Sequence, residues 1–90
     1  MLHYNEIRND IENGYAYMEY EGKFEDWCYV IILEKPASGY DMLMLQFENE
    51  EYIATFAVDV YDFLDMSEIG FSNFVNQGVY YHSIPKEMYD

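Results

Sequence analysis

An α+β domain, built as an antiparallel meander with helices on one face, follows from three features of this 90-residue chain. An amphipathic segment opens it, short alternating or apolar runs separated by turn residues fill its middle, and helical spacing returns after Asp59. The predicted layout is an N-terminal helix, three or four strands, and one or two C-terminal helices, all in one domain covering residues 1–90. Half of the residues are hydrophobic and 20% are aromatic, which excludes a disordered acidic tail.

Tyr4, Ile7 and Ile11 recur at three- and four-residue spacing with Glu6, Arg8, Asp10 and Glu12 between them, and Asn13-Gly14 follows. This pattern predicts a short amphipathic helix closed by a glycine. Residues 15–21 (YAYMEYE) alternate Ala16, Met18 and Tyr20 with Tyr15, Tyr17, Glu19 and Glu21, so one face of a strand is apolar and the other carries tyrosine and carboxylate. Gly22-Lys23 opens a loop into residues 27–33 (WCYVIIL). That run is too short to span a bilayer and apolar throughout, so it reads as a buried strand pairing with its predecessor. Cys28, inside it, reads as a small buried hydrophobe. Lys35-Pro36-Ala37-Ser38-Gly39 is the clearest turn. Residues 40–47 resume as a strand, with Leu43, Leu45 and Phe47 on one face and Tyr40, Met42, Met44 and Gln46 on the other.

Glu48-Asn49-Glu50-Glu51 makes the next polar break. Residues 52–58 fit a strand presenting Tyr52, Ala54, Phe56 and Val58, and they also fit a helical stripe through Ile53, Phe56, Val60 and Leu64. Asp59 is a good N-cap and Asp62 follows three residues on, which favours strand to Val58 and helix from Asp59. Val60, Phe63 and Leu64 form the apolar side of that helix. Ser67 caps a second one carrying Ile69, Phe71, Phe74 and Val75, with Gln77-Gly78 as its stop. Residues 79–90 read as an irregular arm or an edge strand.

Four Lys or Arg against 18 Asp or Glu leave a net charge of −14, beyond the magnitude of about 2 to 8 that keeps a small domain soluble. Such a field opposes compaction and attracts basic partners. Direct nucleic-acid binding is excluded, because a polyanion is held by Lys and Arg, and anionic membranes are disfavoured on the same ground. The single Cys28 and the absence of a basic-then-apolar leader predict a reducing, cytoplasmic setting. No enzymatic signature appears. His3 and His82 have no local motif with Cys28, no serine lies in a nucleophile elbow, and no calcium loop or zinc cluster is present, so no catalytic residue, metal or cofactor is predicted.

The carboxylates themselves carry the functional signal. Asp59, Asp62, Asp65 and Glu68 recur every three residues, a rise of about 4.5 Å per step in a helix, comparable in scale to phosphate spacing. Glu19 and Glu21 on the first strand, and Glu48, Glu50 and Glu51 at the third turn, add to this row. With so few cations, most of these acids must face water or a partner. Eleven tyrosines add broad amphipathic contact area, with Tyr15 and Tyr17 beside Glu19 and Glu21 on the wet strand face.

This combination resembles the small acidic phage proteins that imitate DNA, among them anti-CRISPR, anti-restriction and uracil-glycosylase inhibitors. The order of a helix (4–13), strands (15–21, 27–33, 40–47) and acidic C-terminal helices (59–77) is similar to that of one anti-CRISPR family that blocks Cas9, with residues 52–58 adding a strand. The resemblance implies a non-enzymatic inhibitor acting in the cytoplasm of an infected bacterium, occupying the basic groove of a Cas nuclease, restriction enzyme or similar protein. An acidic immunity or antitoxin protein neutralising a cognate basic toxin fits the same residues.

Overall fold

A computed structural model of the chain describes residues 2–35 and 41–89. Helix α1 (Tyr4–Asn13) falls where the periodicity places it, and Gly14 ends it at a φ of 85°. Four strands follow, β1 (Tyr17–Phe24), β2 (Trp27–Glu34), β3 (Met42–Glu48) and β4 (Tyr52–Asp59), joined as consecutive antiparallel hairpins. Asp59 then caps α2 (Val60–Leu64), its carboxylate accepting the Tyr61 N–H at 2.7 Å. Ser67 caps α3 (Glu68–His82) by accepting from the Gly70 N–H at 3.0 Å. A two-residue strand, β5 (Ile84–Pro85), returns along the start of β4 and leads into a 3-10 turn, Lys86–Met88. The sheet order is β1-β2-β3-β4-β5, an α+β meander with its helices on one face. The turn expected at Lys35 to Gly39, and Tyr40 beyond it, lie outside the described residues except for Lys35.

The core lies between that face and the helices. Opposed residues run across the sheet as Tyr20-Ile31-Leu45-Phe56 and Tyr29-Phe47-Ala54, with Leu33, Leu43 and Val58 beside them, all buried. Ile7 of α1, Phe63 of α2 and Phe71, Val75 and Val79 of α3 close over them. Aromatic rings interlock at the centre, Phe47 stacking on Phe56 at 5.8 Å and Phe63 meeting Phe71 edge-on at 4.9 Å. Helix α1 is tied to the α2–α3 elbow by polar contacts. The Tyr4 hydroxyl donates to the Met66 carbonyl, and Arg8 donates to the Leu64 carbonyl at 3.0 Å.

Three expectations are corrected. The run 27–33 is not buried on both sides: Tyr29, Ile31 and Leu33 point into the core, whereas Val30 and Ile32 are half-exposed and Cys28 is exposed. The helices cover only one face of the sheet, so every second residue of β2 meets solvent. Gly22-Lys23 does not open a loop but lies inside β1, and the reversal is Glu25-Asp26, with Glu25 at a φ of 56°. Glycine is needed at 22 because a Cβ there would stand 2.7 Å from the Tyr29 hydroxyl. Gly78 does not end the last helix, which runs on to His82. A Cβ at 78 would stand 2.4 Å from the Phe56 ring, so this glycine serves packing rather than termination. Residues 79–82 are therefore helical, and only Ile84–Pro85 form the expected edge strand.

A candidate binding surface on the open face of the sheet

The strand register assigns the uncovered face row by row. Tyr17, Glu34, Met42 and Asp59 form one end row, and Glu19, Ile32, Met44 and Ala57 form the next. Glu21, Val30, Gln46 and Thr55 follow, and Lys23, Cys28, Glu48 and Ile53 form the far row, with Ile84 of β5 beside Ile53. Read across the rows, the β1 side is acidic and the middle is aliphatic. Glu19, Glu21 and Glu34 border a strip of Val30, Ile32, Met42 and Met44, of which Met44 is 44% exposed. An aliphatic strip flanked by carboxylates suits a partner that has apolar side chains between Lys or Arg.

Tyr17 belongs to this surface. Its hydroxyl donates to Glu19 at 2.7 Å, and that bond is the main reason its phenol titrates above the ordinary tyrosine range. Tyr15 does not. It is half-buried, its hydroxyl donates to Asp41 at 2.7 Å, and burial first and that bond second raise its pKa well above the usual value.

The other predicted contact residues are placed elsewhere. Glu48 lies within the far row, at the end of β3, and is held by Lys86 at 2.6 Å, while Glu50 and Glu51 are exposed in the β3–β4 turn. There the side chain of Asn49 accepts from the Glu51 and Tyr52 N–H groups. These residues, with Lys23 and Cys28, line a shallow groove of about 750 Å³. The row of Asp59, Asp62, Asp65 and Glu68 is not one helical line. Asp59 is the N-cap of α2, Asp62 lies within it, Asp65 ends it, and Glu68 opens α3 after a break at Met66 and Ser67. The three-residue drift is interrupted because five residues complete α2 and Ser67 starts a new cap. Ten of the eleven predicted residues therefore fall into three groups, the β1 edge of the open face, the β3–β4 turn and the α2–α3 elbow, and Tyr15 stands apart from all three.

Comparison of the chain with protein-family models, with curated proteins and with solved structures finds no match. The surface is accordingly read from its own chemistry. Among the described residues no three His, Cys, Asp or Glu side chains stand together in a way that could hold a metal ion, and no helix is long and apolar enough to cross a membrane.

Sequence reasoning missed the aliphatic strip and the contribution of Glu34. Its signal was present in the element order. A meander with helices on one face leaves the other face uncovered, so Val30 and Ile32 had to lie in the open.

Proposed function

We propose that this chain is a non-enzymatic inhibitor that imitates nucleic acid, occupying the basic groove of a DNA- or RNA-handling protein such as a Cas nuclease or restriction enzyme. The observation that supports this most is the near absence of internal neutralisation. Among the described residues the Lys and Arg ion pairs are Arg8–Glu12 at 3.8 Å and Lys86–Glu48 at 2.6 Å, both partly exposed. Ion pairs of this kind contribute little, and the remaining carboxylates stay available to the Lys and Arg that would otherwise hold phosphates. Carboxylate-led association is fast and salt-sensitive, whereas the tyrosine and aliphatic contacts of the open face slow dissociation.

The aliphatic strip favours a second reading, an immunity or antitoxin protein bound to one cognate basic toxin. A phosphate mimic has no need of Ile32 and Met44, whereas a specific protein interface does. One experiment separates the two readings. The chain is used to recover a partner from a bacterial host lysate at low and then high salt, and the partner is challenged with DNA. The mimic reading expects a basic protein that is released by salt and loses its DNA when the chain is added. Recovery of no basic partner overturns both readings, and a basic partner that still binds DNA overturns mimicry in favour of the second. Glu19→Lys with Glu21→Lys, and separately Asp62→Lys with Asp65→Lys, then identify the face used. Each pair is expected to leave the melting temperature nearly unchanged, and the pair on the true face to slow association at least tenfold.

A further inference from the structure

The charge is distributed unevenly along the chain. Residues 52–58 and 69–85 contain no Asp, Glu, Lys or Arg, in a chain where one residue in five is acidic. These segments are β4 up to its last residue, Asp59, and α3 after Glu68, with β5 following, and α3 packs against β4. The outer side of α3 is nonetheless exposed, Tyr80 by 87%, Tyr81 by 84% and Ile69 by 75%.

The edge of β4 is also open. The Asn49 N–H donates to the Tyr52 carbonyl, and the Val60 N–H to the Asp41 carbonyl, each at 3.0 Å. Alternation between those bonds points the backbone groups of Ala54, Phe56 and Val58 toward β3, and those of Ile53, Thr55 and Ala57 away from it. The strand β5 covers Ile53 and stops, because its preceding residues are the end of α3. Thr55 and Ala57 thus present N–H and C=O groups to an edge without a strand beyond it among the described residues. A groove of about 220 Å³ runs beside that edge, lined by Phe56, Ala57, Phe74, Gln77, Gly78 and Tyr81.

We infer that a second copy of this chain docks on these uncharged segments, the two β4 edges pairing antiparallel about a two-fold axis near Phe56. Thr55 of one copy then lies opposite Ala57 of the other, and the exposed tyrosines of α3 flank the seam. The paired stretch, residues 54–58, and residues 69–82 of α3 carry no carboxylate, with Asp59 just beyond the pairing, whereas the open face and the β1 edge would bring Glu19, Glu21 and Glu34 of two copies together. The β1 edge is a poor alternative. It has Glu19, Glu21 and Lys23 along it, and the Glu21 carbonyl already accepts from the His3 ring at 2.9 Å. The inference is independent of the inhibitor reading.

Sedimentation equilibrium of the full chain up to millimolar concentration tests it, together with hydrogen exchange of the Thr55 and Ala57 amides. The expected result is a mass that rises from 10.8 kDa toward twice that value with concentration. The dimer should tighten as salt is added, because screening weakens the repulsion between copies. The two amides should exchange at least tenfold more slowly in the concentrated sample. Thr55→Glu and Tyr81→Glu, both at exposed positions, should each return the chain to monomer with an unchanged circular dichroism spectrum. A monomer at millimolar concentration overturns the inference, as does a dimer whose Thr55 and Ala57 amides exchange at the dilute rate. If either variant is less folded, the amide measurement on the unaltered chain decides alone.

Discussion

Replacing Gly78 with alanine should destabilise the protein although it lies in the interior of a 15-residue helix, where alanine is ordinarily the better residue by about 1 kcal/mol. The added Cβ would stand 2.4 Å from Cε2 and 2.6 Å from Cζ of Phe56, against about 3.5 to 4.0 Å for a comfortable carbon contact. The ring must therefore retreat by more than about 1 Å. It cannot retreat freely, because Phe47 stacks on it at 5.8 Å, His82 stacks at 5.4 Å, and Phe74 meets it edge-on at 5.8 Å. Overpacking of this kind costs about 1 to 3 kcal/mol, so the net loss is about 1 kcal/mol after the helical gain. For a domain of this size that lowers the melting temperature by about 4 to 8 °C. The decisive comparison is a cycle with Phe56→Leu, followed by urea denaturation. Once the ring is gone, Gly78→Ala should stabilise. A Gly78→Ala effect of the same sign in both backgrounds would refute the assignment of this glycine to the Phe56 contact.

Three further outcomes follow from the described contacts. Ile31→Asp places a carboxylate at a fully buried position, a cost of several kcal/mol against a total stability of about 5 to 15, so circular dichroism should show an unfolded chain. Cys28 is exposed on the open face and should react with a thiol reagent in native protein nearly as fast as in denaturant; strong protection would contradict its placement. His3 bonds Glu6 and the Glu21 carbonyl, in that order of effect, and these raise its pKa above the ordinary 6.5. A raised folded value means that its contribution is complete below about 6.5 and fades as pH rises through the folded pKa. His3→Asn keeps a residue tolerant of the left-handed φ of 60°. Its melting temperature should fall short of the parent's in acidic buffer and match it in mildly alkaline buffer. The group is partly exposed, so the difference is small.

Local chemistry made much of this fold legible. Asp59 and Ser67 fixed two helix starts because a capping side chain needs only its own backbone neighbours, and the tyrosine and glutamate alternation before Gly22 fixed the wet face of β1. What failed depended on contacts distant in sequence. Gly22 and Gly78 look like chain punctuation until Tyr29 and Phe56 are known to lie against them. Val30 and Ile32 look buried until the uncovered face is recognised. The acid spacing after Asp59 looks like a single helical row until the elbow at Met66 divides it. Of the candidate surface, Tyr17, Glu19 and Glu21 were readable from alternation alone, whereas Glu34 and the aliphatic strip required the register.

The uncharged segments 52–58 and 69–85 also leave the charge unevenly spread over the surface. Acids gather at α1, β1, the β3–β4 turn and the α2–α3 elbow, so a positively charged surface favours approaches that lead with one of these groups rather than with the outer side of α3. Approach is thereby biased, with the outer side of α3 trailing.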